Sequence, residues 1–129
     1  MSRASERGAV AVEFAIVAPL LVMLLLGIME FSRAYNAQAS LSAAAREGVR
    51  VMAVTGKSSD AKTAAKNTAA ALRPALQDTD ISFGTACPVT SAAGSSPQIT
   101  ITITYSLSTM TGIAGPFAMT GKGAMLCGG

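Results

Sequence analysis

From Ala9 to Met29 the chain is apolar at every position except Glu13. About 20 such residues are enough to cross the hydrocarbon core of a bilayer as a helix, so the run predicts a membrane-spanning helix. Beyond it the pattern changes. Phe31, Tyr35, Gln38, Leu41, Ala45, Val49 and Met52 recur every three or four residues, opposite Arg33, Asn36, Ser40, Glu47 and Arg50. This spacing predicts an amphipathic continuation over residues 30–56, stopped near Thr55-Gly56. Pro19 removes one backbone hydrogen bond and is expected to kink or loosen the helix locally. Ser58, Ser59 and Asp60 are suitable N-caps for a second, short helix running to about Leu72, with Pro74 near its end. Leu72 and Leu76 are its large contacts, and Lys57, Lys62 and Lys66 form its solvated face.

Past Leu76 the period drops to two. Ile81, Phe83 and Thr85 alternate with Ser82 and Gly84 on the way to Cys87. The clearest strand is Ile99 to Leu107, with Ile99, Ile101, Ile103, Tyr105 and Leu107 on one face and Thr or Ser on the other. A Gly/Ser-rich loop, Pro88 to Pro97, joins these two strands. A weaker third strand runs from Phe117 to Cys127, broken by Gly121 and Gly123. One buried and one wet face is the signature of an antiparallel sheet laid over a helix. The predicted class is α+β: a long N-terminal transmembrane and amphipathic helix, a short second helix and a small antiparallel sheet.

Charge then decides how the apolar run sits. A carboxylate at mid-bilayer costs about 3 kcal/mol. Twelve Val, Leu, Ile or Phe side chains in the run contribute roughly −4 to −7 kcal/mol together, and Glu13 lies near one end, so insertion wins. Arg3, Arg7 and the amino terminus hold the N-terminal side in the cytoplasm. An ordinary cleaved secretion signal is the competing reading, since Ala37-Gln38-Ala39 fits a small-x-small site. The length of the run, Glu13 within it, and Glu30 and Arg33 before that site count against it.

The remaining composition narrows the chemistry. With 129 residues there is room for one small domain beside the membrane segment, and its Ala-, Thr-, Ser- and Gly-rich core is marginal alone. Basic residues are scattered without interleaved aromatics, which argues against nucleic-acid binding. The chain has no His, so a Ser-His-Asp or Cys-His arrangement cannot be built, and Cys87 and Cys127 alone cannot hold zinc. Asp78 and Asp80 read as solvated loop acids rather than a metal or acid pair. The segments at Gly112 to Gly115 and Gly121 to Gly123 lack a phosphate-loop pattern. No enzyme, metal, cofactor or small-molecule substrate is expected. In an oxidising compartment Cys87 and Cys127 pair naturally, closing a loop of about 40 residues that contributes about 4 kcal/mol. Two buried free thiols remain the alternative. The strand register puts both cysteines on the inner face of the sheet, within reach if their strands are neighbours.

Arg7 to Leu21, with Gly8, then Glu13-Phe14 five residues on, resembles the start of TadE-like proteins, the minor pseudopilins of tight-adherence (Tad, or Flp) pilus systems. Ala44-Ala-Arg-Glu-Gly-Val-Arg50 is similar to their helix further on; the second half of the chain agrees only in outline. The resemblance implies a leader of residues 1–8, cut by a membrane prepilin peptidase between Gly8 and Ala9. It makes Glu13 and Phe14 the peptidase's recognition signal and Glu13 an assembly residue. Pairing Glu13 with the new ammonium of a neighbouring subunit rewards correct axial register, because an unpaired carboxylate among bundled helices is costly. Snorkelling of Glu13 to the interface is the plainer alternative. Arg46, Glu47 and Arg50 are either contacts to other subunits or a local pair.

The expected organisation is thus leader 1–8, transmembrane helix 9–29, helical extension 30–56 and a small periplasmic or extracellular α+β domain, 57–129. The expected partners are the bacterial inner membrane, the prepilin peptidase and other pilins and pseudopilins. The leading function is a minor pseudopilin that primes or joins the pilus. A single-pass scaffold that keeps its leader, or the filament subunit itself, is the alternative.

Overall fold

A computed structural model of the chain describes residues 2–85, 87 and 97–127, with side chains described from Glu6 onward. Most of the loop predicted over Pro88 to Pro97 lies outside the described residues. The chain divides into two compact units, residues 1–33 and residues 34–129.

Helix α1 runs from Ser2 to Thr55. It therefore starts before the apolar run, within the basic segment that precedes Gly8, and it passes through Pro19 without interruption. Its end follows the expected glycine stop. Gly56 takes φ +66° and its N–H bonds Met52 O at 2.9 Å, the left-handed cap that glycine adopts without a Cβ penalty.

Within residues 34–129 the buried face of α1 is made of Ala37, Leu41, Ala44, Ala45 and Val49, with Ala34, Met52 and Ala53 at its margins. Leu41, Ala45, Val49 and Met52 were read from periodicity. Phe31 and Tyr35 are instead exposed, at 75% and 71%, and Gln38 lies at the surface. The stripe turned inward is the one lined with small side chains, because small residues let the helix approach the sheet closely.

Helix α2 spans Ser58–Thr68, one turn shorter than expected. Its N-cap is Lys57 and no side chain caps it; Thr55 Oγ1 accepts the Lys57 N–H at 3.2 Å, so the second helix begins within the turn that ends the first. At its far end Leu72 N–H bonds Ala69 O at 3.0 Å, and this tighter turn replaces the α ladder. Ala61, Ala65, Ala69, Leu72 and Leu76 are buried.

Three antiparallel strands form a sheet in the order β1-β2-β3: β1 Ile81–Phe83, β2 Gln98–Leu107 and β3 Phe117–Leu126. The alternation of β2 is realised fully, with Ile99, Ile101 and Ile103 wholly inaccessible and Tyr105 and Leu107 nearly so. Tyr105 OH satisfies its polar end by donating to Pro74 O at 2.7 Å. Strand β1 stops at Phe83, well short of Cys87, after pairing Ile81 with Ile103 and Phe83 with Ile101.

Strand β3 corrects the sequence reading most. Gly121 and Gly123 do not break it; they lie opposite Ile103 and Ile101 in an uninterrupted ladder. A Cβ on Gly121 would come 2.6 Å from Leu41 O, and one on Gly123 2.7 Å from Ala45 O. Both clashes are with helix backbone, so only glycine lets β3 lie this close to α1.

Candidate functional site

Glu6 through Met29 form an element of uniform exposure. Every described residue there is exposed except Ala18, which is intermediate. Among the described residues, α1 is the one helix long and apolar enough to cross a membrane, and nothing in its most apolar window is buried. Phe14, Met23 and Val10 are each more than 60% exposed. In water such a surface would be strongly unfavourable, at roughly 25 cal/mol per Å² of apolar area. A bilayer or neighbouring apolar helices remove that penalty.

The candidate residues sit at the head of this element. Gly8 and Ala9 are both within α1, and beyond its chain neighbours and the adjacent helix backbone nothing lies within 4 Å of where a Gly8 Cβ would stand. Ala9 and Glu13 are four residues apart and so share a helix face. Glu13 and Phe14 are exposed, Phe14 at 71%. Further along, Met23, Leu24, Gly27, Ile28, Phe31 and Ser32 line an open apolar groove.

The second motif, Ala44 to Arg50, divides by face. Ala44, Ala45, Gly48 and Val49 are buried. A Cβ on Gly48 would meet Ile101 Cδ1 at 2.7 Å and Ala65 Cβ at 3.3 Å, so this glycine admits both α2 and β2 to the helix. Arg46 is exposed, and Arg50 Nη1 lies 3.6 Å from Glu47 Oε2, a local i,i+3 pair at the surface. Such exposed pairs contribute a few tenths of a kcal/mol. What the motif does for this fold is carried by its small residues, whose role the sequence reading missed; their spacing, Ala44, Ala45, Gly48, was the available signal.

Cys87 and Cys127 are joined by a disulfide, with Cα atoms 5.6 Å apart. Both are partly buried against the core. Their strands are not neighbours, since β2 lies between β1 and β3. The bond closes instead across the start of β2, where β1 has already ended and Cys127 N–H bonds Pro97 O at 2.8 Å.

The two loop acids have local tasks. Lys66 Nζ lies 2.6 Å from Asp78 Oδ1, so Lys66 is a paired rather than merely solvated lysine. The hydrogen bond from Lys66 holds the Asp78 carboxyl below its usual range. Asp80 Oδ2 accepts the Gln77 N–H at 2.8 Å, closing a capping box around a single 3-10 turn. Among the described residues no three His, Cys, Asp or Glu side chains gather where they could hold a metal ion.

No curated protein and no solved structure matches the chain. Residues 8–50, which begin at Gly8 and end at Arg50, match the model of the family described as TadE-like protein; the match covers about a third of the chain.

Proposed function

We propose that this protein is a minor pseudopilin of a Tad pilus, without catalytic activity of its own. A prepilin peptidase cuts between Gly8 and Ala9, the helix of residues 9–29 stays in the inner membrane, and the cystine-stapled unit lies on the outer side. The observation that carries this reading is the glycine–glutamate spacing at the head of a helix with no protein cover, inside the segment that matches the TadE-like family.

Cutting creates an ammonium at Ala9, one helical turn from Glu13. A free subunit can neutralise Glu13 internally through this i,i+4 relation. In a bundle the same carboxylate pairs with the ammonium of a neighbour, and a subunit out of register leaves a buried charge unmatched. The folded unit that follows is large for the shaft of a thin filament, which favours a priming or tip role.

A scaffold that keeps its leader has one observation on its side: α1 runs unbroken across the Gly8–Ala9 bond, so a peptidase must unwind a turn to cut there. Intact mass and N-terminal sequencing of the protein from its native membranes decide between them. A chain beginning at Ala9 is the expected result. A leader retained through Arg7 establishes the scaffold, and a start near Ser40 makes the protein a secreted one.

A further inference from the structure

The loop joining β2 to β3, residues 108–116, points to a second membrane contact. Its end of the unit is fixed by the partners of β3. Gln38 Nε2 donates to Thr120 O at 3.0 Å, Gly121 faces Leu41 O and Gly123 faces Ala45 O. Two strand residues, about 6.6 Å, thus match four helix residues, about 6 Å, and β3 runs in the same direction as α1. Followed back from Thr120 to Phe117, the strand reaches the end of the unit that begins at Ala34. The loop emerges there, and the apolar run ends at Met29, five residues earlier in the chain.

That end of the unit also carries most of its exposed large apolar side chains among the described residues. Among the described residues of 34–127 the exposed large hydrophobic side chains are Tyr35, Val54, Met110, Ile113, Phe117 and Leu126. Tyr35, Met110, Ile113 and Phe117 belong to the Ala34 end, whereas Val54 and Leu126 lie at the other. Ile113, at 84% exposure, is the most exposed of these. No acidic or basic residue occurs between Asp80 and Lys122, so the loop brings no charge of its own to lipid; Asp80, whose backbone O accepts from Thr104 Oγ1 at 3.5 Å, stands three strand residues back from Leu107. Thr109 Oγ1 donates to Ala114 O at 2.7 Å, closing the loop on itself and satisfying polar atoms within it.

We propose that the loop of residues 108–116 rests in the interface of the bilayer that holds the N-terminal helix, with Met110, Ile113 and Phe117 at the acyl-chain boundary and Tyr35 at headgroup depth. Aromatic and apolar side chains at that depth are the usual interfacial anchors. A second copy of the chain is a poorer occupant, because four side chains at one end fall far short of the roughly 800 Å² per partner that a stable protein interface buries. Lipid needs no such area, since the tether keeps its effective concentration high. The loop then holds the unit down on the membrane surface, and extraction of the subunit into a filament must first lift it off. The inference rests on the membrane-anchor reading.

The chain contains no Trp, so a single introduced tryptophan reports its own surroundings. The full-length protein carrying Ile113→Trp, Val54→Trp or Leu21→Trp is reconstituted in phosphatidylcholine vesicles whose acyl chains are brominated near the headgroup or at depth. The expected result is blue-shifted emission from the Ile113→Trp protein that loses most of its intensity to the shallow bromines. The Leu21→Trp protein is quenched by the deep ones and the Val54→Trp protein by neither. Quenching of Leu21→Trp alone overturns the loop contact and leaves the anchor standing; quenching of none overturns both. A blue shift at Ile113→Trp without bromine quenching means that protein, not lipid, covers the loop, and equal quenching at Val54→Trp removes the end-specific contact.

Discussion

Residues 9–29 and residues 34–53 belong to one helix, yet they obey opposite rules. The first stretch carries Leu, Val, Ile and Phe all round and buries nothing. The second buries Ala37, Leu41, Ala44, Ala45 and Val49 and keeps its charges outside. Large side chains are cheap where the surroundings are hydrocarbon and no partner must fit. Small ones are needed where a sheet has to be brought against the helix backbone. Hydrophobicity alone would rank the two stretches the wrong way round for burial within the fold, because the more apolar one is the one left uncovered.

The comparison breaks most visibly at leucine. Leu41→Ala empties a fully buried site and is expected to destabilise residues 34–129 by about 2–5 kcal/mol. Leu24→Ala, at a position 61% exposed, is expected to leave the same unfolding transition where it was. Denaturant titration of the two full-length variants in the same detergent checks both; equal losses would mean the stretches are not energetically separate.

Glycine sharpens it further. Gly121→Ala drives a methyl group into the Leu41 carbonyl, and a clash with backbone has no easy relief, so a loss of about 1–3 kcal/mol is expected. Gly27→Ala meets nothing within 4 Å beyond its chain neighbours and the adjacent helix backbone. It should cost the fold nothing and slightly favour the helix, as thermal melts and helical circular dichroism would register.

The smallest effect concerns the surface pair that ties α2 to the turn before β1. Lys66 lowers the folded pKa of Asp78, so the pair's stabilisation is complete above the unfolded carboxylate pKa. It is lost as pH falls through the lower folded value. Relative to Lys66→Ala, the wild-type advantage should therefore fade at acid pH and in high salt. Melts across pH at low ionic strength measure it; an advantage that survived acid would place the effect in packing of the lysine stem instead.

Legibility followed the physics of each residue. The apolar run and β2 were readable because one pattern, continuous in the first and alternating in the second, filled the whole element. Glu13 drew attention because a carboxylate in an apolar run is expensive, and its role with Gly8 belongs to the proposal. The end of α2 was misplaced, since alanines support a helix and a turn almost equally and the contacts of Ala69 and Leu72 decided between them. Gly121 and Gly123 were misread because local propensity assigns glycine to a strand break, while their use lies in what approaches them. The cysteine pairing came from compartment and loop length. Its route across the start of β2 depended on where β1 ends, which hydrogen bonding to β2 sets.

By itself, then, the chain determined the elements whose driving force is local or solvent-directed. These are the membrane-length helix, the alternating strand and a charge at a set distance from a glycine, each legible in which residues favour water. Only the tertiary structure decided which face of the helix is covered, that two glycines bring β3 onto its backbone, and that the apolar loop leaves the unit at the Ala34 end. Those outcomes depend on contacts between residues some 80 positions apart, such as Gln38 with Thr120 and Leu41 with Gly121. Steric fit at that separation has no period along the chain by which it can be read.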